Sequence, residues 1–298
     1  MTAEPANRFY ESQGLRLHYA DWGNEAAPPL ILIHGGLDHC RSWDAIAQAL
    51  QPHFHIMAPD LRGHGDSEWA KGSSYSISDH VYDLSCLIRF AGLQDATIVG
   101  HSLGGMISLT YAGTYPSRVS RLAVLDGAFL PGSRPAPMHE QMSRWIDQLD
   151  RIAEHVQSAF RTIEEAAQRL SARNKRLTPA QALHLARHGV RQNSDGLYRW
   201  KFDHYQRARA PYRILPSDYT AVWSRITCPT LLMWGDESFL PDPDPEAAGL
   251  LAHFKQAELQ KIAGAGHWLH HDRLDVVLAS LRRFLDAPCE ADNAAAHP

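Results

Sequence analysis

TIVGHSLGG is the sequence of residues 97–105, and this stretch decides the fold of the chain. Its first three residues are β-branched and favour a strand, because such side chains pack well on a pleated sheet. Glycines then interrupt the run, and residues 106–111 are apolar and compatible with a helix. The pattern predicts a strand, a tight turn and a helix, with Ser102 at the apex of the turn.

The glycines around Ser102 have a steric explanation. A serine at the end of a buried strand must adopt a strained backbone conformation, and its neighbours press against other parts of the chain. Gly100 and Gly104 remove the side chains that would clash there. The turn then exposes the Ser102 hydroxyl, and the amide groups at the start of the next helix would stabilise an anion beside it. These features favour a nucleophilic serine; the alternative is a glycine-rich turn in which the serine is incidental.

The composition is that of an ordinary globular protein of 298 residues, with 44% hydrophobic and 21% charged residues. This length suits one large domain or a domain with an insertion. The net charge of -4 gives no general attraction to nucleic acid or to an anionic membrane. Residues 1–10 lack the apolar core of a signal peptide, and no apolar run approaches the roughly 18 residues that span a bilayer. We therefore expect a cytoplasmic protein without nucleic-acid or membrane partners.

The spacing of cysteine and histidine residues indicates no metal site. The four cysteines include no Cys-x-x-Cys pair, which argues against a zinc ribbon and against a disulfide framework. Among the 18 histidines, His184 and His188 are four residues apart on a predicted helix, without an evident third ligand. A solvated helix face explains this pair, and we expect neither a metal nor an organic cofactor.

Apolar runs and helical patterns alternate along the chain. The runs are continuous, as is typical of strands buried on both faces. They cover residues 30–33, 54–58, 97–99, 121–125, 230–234 and 257–262. Helical spacing separates them, for example over residues 42–50 and over residues 78–90, where Ser78 is the expected N-cap. The alternation predicts an α/β fold with a mostly parallel, doubly wound sheet and helices on both faces.

Polar groups follow four of the predicted strands. They are the turn His34-Gly35-Gly36, Asp60, Ser102 and Asp126. Ligands of doubly wound sheets bind beyond the carboxyl ends of the strands, which is where all four groups fall. The shared location of the four groups is stronger evidence than any single motif, and it predicts that the functional site lies at that edge of the sheet.

Residues 131–222 lack strand signals. Amphipathic helical patterns replace them over residues 138–160, 162–173 and 178–188. We predict a helical cap, or lid, inserted into a core that consists of residues 1–130 and 223–298. Residues 127–225 hold 16 Lys and Arg against 9 Asp and Glu, a local charge of +7. Solvated helix faces account for this excess; the sharper hypothesis is a lid that attracts anionic acyl substrates.

Four motifs together resemble one family. They are His34-Gly35-Gly36, residues 60–67 (DLRGHGDS), residues 100–104 (GHSLG) and residues 264–267 (GAGH). The chain resembles an α/β-hydrolase of the lid-bearing esterase type over nearly its whole length outside the insertion. The resemblance implies that Ser102 is the nucleophile and His267 the general base, in the family's chain order of nucleophile, acid and histidine. It also implies an oxyanion hole formed by the backbone amides of Gly36 and Leu103.

A nucleophilic serine needs a general base, and this requirement also points to His267. A serine hydroxyl is a poor nucleophile at neutral pH, so an imidazole must take its proton as the new bond forms. His267 follows a glycine turn after the last predicted strand, whereas His270 and His271 do not. We therefore predict His267 as the base; the alternative is an ordinary loop histidine in a histidine-rich chain.

The acidic residue departs from the commonest family pattern. Many members place the carboxylate three residues beyond the glycine that ends the next-to-last core strand, and that position, counted from Gly235, is Ser238 here. A serine cannot hold an imidazolium by charge. Asp126 follows the strand after the nucleophile, and haloalkane dehalogenases are similar in placing their acid at this strand end. We predict Asp126 as the acid, with Asp236 and Glu237 as alternatives.

The function that we expect is hydrolysis of a carboxylic ester, or a related acyl bond, of a small molecule through an acyl-serine intermediate. Ser102 argues against haloalkane dehalogenase and epoxide hydrolase chemistry, since relatives of those types carry an aspartate at this position. Alternatives with the same triad are a carbon-carbon bond hydrolase and a cofactor-free haloperoxidase or perhydrolase. A non-catalytic ligand receptor or binding module is the alternative from another class. The sequence indicates neither the acyl chain length nor the oligomeric state.

Overall fold

The computed structural model describes residues 4–72, 75–129, 136–154, 157–208, 214–241 and 247–286. An eight-stranded sheet forms its centre. The strands are β1 (Ala6–Ser12), β2 (Leu15–Asp21), β3 (Pro29–Ile33), β4 (His55–Pro59), β5 (Ala96–His101), β6 (Val119–Leu125), β10 (Thr230–Gly235) and β11 (Ala257–Ile262). Their order is β1-β2-β4-β3-β5-β6-β10-β11. Every pair from β4 to β11 is parallel, and β2 pairs with β1 and β4 in antiparallel fashion. The predicted mostly parallel α/β sheet is confirmed.

Helices cover both faces of this sheet. They are α1 (Asp44–Leu50), α2 (Ile77–Phe90), α3 (Leu103–Thr114), α8 (Ala247–Leu251), α9 (Leu269–Asp272) and α10 (Leu274–Asp286). Along β3, Leu30 and Leu32 belong to the same apolar cluster as side chains of α1 and α10. Ile31 and Ile33 belong to the opposite cluster, with side chains of α2 and α3. Successive strand residues point to opposite faces, so a continuous apolar run is required by a sheet that is covered on both sides.

The N-cap of α2 differs from the sequence prediction. The helix begins at Ile77, and its cap is Ser76 rather than Ser78. The Ser76 hydroxyl accepts a hydrogen bond from the backbone N–H of Asp79, and the Asp79 carboxylate accepts one from the backbone N–H of Ser76. This reciprocal capping box satisfies two amide groups at the helix start, which a cap at Ser78 would not do.

The connection between β6 and β10, called the β6–β10 connection below, contains both helices and strands. Its elements are α4 (Met138–Glu154), β7 (Ala159–Phe160), α5 (Ile163–Arg173), α6 (Pro179–Gly189), β8 (Val190–Gln192), β9 (Tyr198–Trp200), a 3-10 helix (His204–Arg207) and α7 (Pro216–Trp223). The predicted helices are present, although residues 157–160, which the pattern assigned to the first of them, are not helical. The predicted absence of strands is wrong, because β7, β9 and β8 form an antiparallel sheet. Strands of two or three residues are too short to show an alternating pattern.

The β6–β10 connection has a small apolar cluster of its own. Its buried members are Phe160, Ala166, Ala167, Ala182, Ala186 and Val190. The predicted core–cap boundary between residues 130 and 131 lies outside the described residues. Within the part of the chain that the structure describes, no helix is both long and apolar enough to cross a bilayer.

Candidate active site

Ser102 lies on a sharp turn between β5 and α3. Its backbone has φ 51° and ψ -114°, which a non-glycine residue adopts only under strain. A Cβ on Gly100 would lie 2.4 Å from the carbonyl oxygen of Gly104, and a Cβ on Gly104 would lie 2.2 Å from the carbonyl oxygen of Ile33. The steric reason that the sequence suggested for both glycines is therefore confirmed. The half-buried side chain of Ser102 stands at the carboxyl end of β5.

Three side chains form a continuous hydrogen-bonded row at this edge of the sheet. His267, on the loop after β11, has its Nε2 2.9 Å from the hydroxyl oxygen of Ser102. Its Nδ1 lies 2.6 Å from Oδ2 of Asp126, the residue that follows β6. Asp126 is fully buried and His267 is 6% exposed. In this arrangement Nδ1–H donates to the carboxylate, and Nε2 is free to accept the serine proton.

Asp126 is fixed by backbone and side-chain donors. Its φ of 47° turns it away from the strand direction. The backbone N–H of Gly235 donates to Oδ1 over 3.2 Å, and the Ser238 hydroxyl donates to Oδ2 over 2.5 Å. Ser238 occupies the position of the commonest family acid, and here it supports a carboxylate that comes from the neighbouring strand. The sequence did not reveal this role.

The alternative carboxylates are engaged elsewhere. Oδ1 of Asp236 accepts a hydrogen bond of 2.8 Å from the backbone N–H of Gly264. Glu237 forms an exposed ion pair with Arg176. Neither carboxylate has a hydrogen bond to His267 in the described structure.

Two further residues contact His267, and the sequence missed both. Nε2 of His101, next to the serine, donates to the backbone carbonyl oxygen of His267 over 2.8 Å. Burial, and next the nearby His267 ring, lower the pKa of His101 well below its ordinary value, so this ring stays neutral. The ring of Phe239 lies 4.4 Å from the His267 ring, although Phe239 is 70% exposed. Phe239 therefore covers one side of the His267 ring, while most of its own surface faces solvent.

Gly36, where an added Cβ would lie 4.0 Å from the Leu103 side chain, belongs to a loop that two buried histidines support. Nε2 of His64 accepts the backbone N–H of Leu37 over 3.0 Å, while its Nδ1 donates to the carbonyl oxygen of Arg62. Nε2 of His34 accepts the backbone N–H of Leu61 over 3.0 Å. Each ring must be neutral to accept, because a protonated imidazole has no lone pair left. Burial is the main cause that lowers the pKa of His34 to about 3 and that of His64 to about 4.

This loop makes the stability of the protein sensitive to acid. The pKa of His34 and His64 is lowered by folding, so below pH about 6.5 the unfolded chain binds protons that the native chain excludes. The stability that each ring contributes is complete above that pH and is lost as the pH falls towards about 4 for His64 and about 3 for His34. We expect the free energy of unfolding in urea to decrease between pH 7.5 and 5.5, a window in which most carboxylates stay ionised in both states.

The variant H64Q provides the control for this prediction. The glutamine oxygen can still accept the Leu37 N–H but cannot titrate. Below pH 6, its unfolding free energy should therefore depend on pH less steeply than that of the wild type, by about 1.4 kcal/mol per pH unit. An unchanged slope in H64Q would contradict the assignment.

A pocket whose roughly 710 Å³ of space includes open solvent lies beside the row and is called the apolar cavity below. Gly36 and Trp268, the neighbour of His267, form part of its wall. The core contributes the apolar side chain of Leu37 to the wall. The β6–β10 connection contributes the others, namely Leu170, Leu177, Leu185, Trp200 and Phe202. A mostly apolar cavity with a few polar groups is typical of a small-molecule site.

The prediction of a solvated helix face for His184 and His188 is wrong. Nε2 of His184 lies 3.2 Å from the carboxylate of Asp44, at the start of α1, and the His188 ring is adjacent. Arg41 also holds this carboxylate, with its Nε 2.8 and 2.9 Å from the two oxygens. Asp44, the third potential metal ligand that the sequence did not reveal, thus belongs to an ion-pair network. A guanidinium already neutralises it, which disfavours a cation at the same place.

A family model described as alpha/beta hydrolase fold matches residues 28–274 of the chain. Epoxide hydrolase 4 of Mus musculus is 26% identical over 296 residues, which cover 95% of this chain and 79% of the mouse protein. The cis-3-alkyl-4-alkyloxetan-2-one decarboxylase of Shewanella oneidensis is 25% identical over 284 residues, covering 93% of this chain and 87% of the bacterial protein. Among solved structures, a thioesterase domain from the curacin biosynthetic pathway superposes with a TM-score of 0.84 at 26% identity. It covers 93% of this chain and 99% of that domain.

Proposed function

The chain belongs to the alpha/beta hydrolase fold family, and from this premise we propose that it is a serine hydrolase for carboxylic esters or related acyl bonds. One observation carries the proposal: Ser102, His267 and Asp126 are joined by hydrogen bonds of 2.9 and 2.6 Å. A serine, a base and a buried carboxylate in this order are the groups that acyl transfer requires.

In the proposed mechanism, the Ser102 hydroxyl attacks the substrate carbonyl while Nε2 of His267 takes its proton. The negative carboxylate of Asp126 stabilises the imidazolium that forms. The backbone N–H groups of Gly36 and Leu103 bind the oxyanion of the tetrahedral intermediate. His267 then gives its proton to the leaving group, which departs and leaves an acyl-serine. A water molecule, activated by the same imidazole, hydrolyses the acyl-serine and restores the enzyme.

The residue at the turn distinguishes this chemistry from that of the epoxide hydrolase relatives. A carboxylate nucleophile forms an ester with the opened epoxide, and the family pattern of epoxide hydrolases places an aspartate at this turn. The present chain has Ser102 there. The similarity to a thioesterase domain at 26% identity supports an acyl bond, and it makes a thioester the second candidate substrate.

We propose further that residues 131–222 form a cap over a core of residues 1–130 and 223–298. Leu170, Trp200 and Phe202 of the β6–β10 connection line the apolar cavity together with Leu37 of the core. A roof of this kind excludes water from the reacting atoms, which strengthens electrostatic stabilisation of the oxyanion.

Turnover of activated esters tests the proposal. We expect the protein to hydrolyse p-nitrophenyl esters of short or medium acids, because the apolar cavity accepts hydrocarbon. We also expect it to hydrolyse the corresponding thioesters, and a thiol-detecting reagent would measure the thiol that is released. A fluorophosphonate should label the protein at Ser102, identified by mass spectrometry of the digested protein. Folded protein that cleaves no chain length of ester or thioester and takes up no label would overturn the proposal.

A further inference from the structure

A second, wider pocket adjoins the apolar cavity; its roughly 1320 Å³ of space includes open solvent, and four arginines line it. They are Arg151 of α4, Arg169 and Arg173 of α5, and Arg207 of the 3-10 helix, and all four residues are exposed to solvent. We call it the cationic cavity. The two cavities share wall residues, including Leu37, Leu170, Arg173, Trp200 and Phe202. No aspartate or glutamate lines the cationic cavity in the part of the chain that the structure describes.

These guanidinium groups differ from other arginines of the β6–β10 connection. Arg144 pairs with Glu140 at 2.7 Å, and Arg199 pairs with Asp195 at 2.6 Å. Among the described residues, no carboxylate lies within 4.0 Å of Arg169, Arg173 or Arg207. Within the described part of the chain, Arg151 donates only to a carbonyl oxygen of its own helix. The positive charges of the cationic cavity are therefore not neutralised by the described protein.

The surroundings of Arg207 disfavour its positive charge. Partial burial, and next the positive charge of Arg173, lower the pKa of Arg207 from its ordinary value. The Arg207 guanidinium lies 5.5 Å from the centre of the Phe202 ring, which orients it against a wall of the cavity. Guanidinium groups bind carboxylate and phosphate oxygens through paired N–H donors. An anion between these side chains would relieve their mutual repulsion.

We propose that the cationic cavity binds an anionic group, a carboxylate or a phosphate, at the end of the substrate remote from the scissile carbonyl. The inference rests on the proposed function, because it places the carbonyl near Gly36. The apolar cavity begins at Gly36 and shares Arg173 with the cationic cavity, so an acyl chain that crosses it carries its far end to the arginines. Asp38 is a carboxyl group in the wall of the apolar cavity, and burial raises its pKa, which favours its neutral form.

A matched pair of substrates tests this inference. p-Nitrophenyl octanoate and the mono-p-nitrophenyl ester of suberic acid have acyl chains of the same length, and only the second ends in a carboxylate. The readout is the ratio of kcat/KM for the suberate ester to kcat/KM for the octanoate ester. In R173Q/R207Q we expect this ratio to fall by about 10- to 100-fold, mainly through KM, because charge-assisted hydrogen bonds are lost.

The variant R187Q is the matched control, since Arg187 on α6 is exposed like Arg173 and Arg207 but lines neither cavity. Its ratio should equal that of the wild type. An unchanged ratio in R173Q/R207Q, or an equal fall in R187Q, would overturn the inference. Free suberate and inorganic phosphate, each used as an inhibitor of octanoate ester hydrolysis, distinguish the two anions: the preferred one inhibits the wild type at least 10-fold better than it inhibits R173Q/R207Q.

A binding measurement separates this inference from the proposed function. Calorimetric titration of S102A with suberate and with phosphate requires no turnover. Binding of either anion that weakens at least 10-fold in S102A/R173Q/R207Q supports the cationic cavity even if the wild type cleaves no ester. Absence of binding of both anions to S102A, or equal binding to the two proteins, overturns it even if Ser102 is an active nucleophile.

Discussion

The variant S102A is expected to lower kcat for p-nitrophenyl ester hydrolysis by about 10⁵- to 10⁶-fold, down to the residual rate that binding and oxyanion stabilisation provide. The physical reason is that alanine has no oxygen to form the acyl-enzyme, so only direct attack by water is left. Steady-state turnover at saturating ester gives kcat, and the burst of p-nitrophenol before steady state should disappear. Fluorophosphonate labelling should be lost as well.

The variant S108A serves as the control for S102A. Ser108 lies buried on α3, about 1.7 turns beyond Ser102, and its hydroxyl donates to the carbonyl oxygen of Gly104 rather than to an imidazole. We expect S108A to be labelled and to turn over ester within a fewfold of the wild-type rate. Label retained by S102A would show that another residue is the nucleophile.

The variant D126N is expected to lower kcat by about 10⁴-fold with little change in fold. The amide has no negative charge to stabilise the imidazolium, and its NH₂ group favours the imidazole tautomer with the proton on Nε2. That tautomer cannot accept the proton of Ser102. The pH profile of kcat for the wild type and for D126N, measured with the same ester, reports the loss.

The variants D236N and E237Q are matched controls that remove the alternative carboxylates. The oxygen of Asn at position 236 can still accept the backbone N–H of Gly264, so the loop before His267 keeps its hydrogen bond. E237Q removes only an exposed ion pair with Arg176, which contributes little to stability. We expect both variants to retain kcat within a fewfold. A loss in D236N or E237Q as large as in D126N would contradict the assignment of the acid.

The choice between carboxylates shows where reasoning from sequence reaches its limit. β6 and β10 are parallel neighbours, with Leu125 opposite Met233 in the register. Their carboxyl ends are one strand spacing apart, about 4.8 Å, so residues after either strand come close to the same imidazole. Sequence spacing favoured Asp126 only by analogy with other families. The hydrogen bonds of Asp126 with His267 and Ser238 depend on how two distant loops meet.

Local features were readable because neighbouring residues determine them. The Gly-x-Ser-x-Gly turn predicts strand, turn and helix, since the steric demands act within a few residues of Ser102. Continuous apolar runs likewise predicted a sheet covered on both faces. The helical periods of α5 and α6 in the β6–β10 connection were also visible, because each spans 11 residues.

Features that join distant segments were not readable. The sheet of β7, β9 and β8 was missed because each strand has too few residues to display a period. Asp44 was not recognised as the partner of His184, since 140 positions of sequence separate them. The excess of positive charge in residues 127–225 could be counted from the sequence. The clustering of four arginines around one cavity depends on the packing of α4, α5 and the 3-10 helix.

By itself, the sequence determined the alternation of strands and helices, the strained turn at Ser102 and the edge of the sheet where the candidate groups gather. These are consequences of side-chain volume, backbone freedom and hydrophobic period, which act over short stretches of chain. Only the tertiary structure decided which carboxylate contacts His267, that Ser238 supports this carboxylate, and that four arginines line one cavity. Such contacts depend on the order and register of strands far apart in sequence, and no local pattern encodes a distance across the sheet.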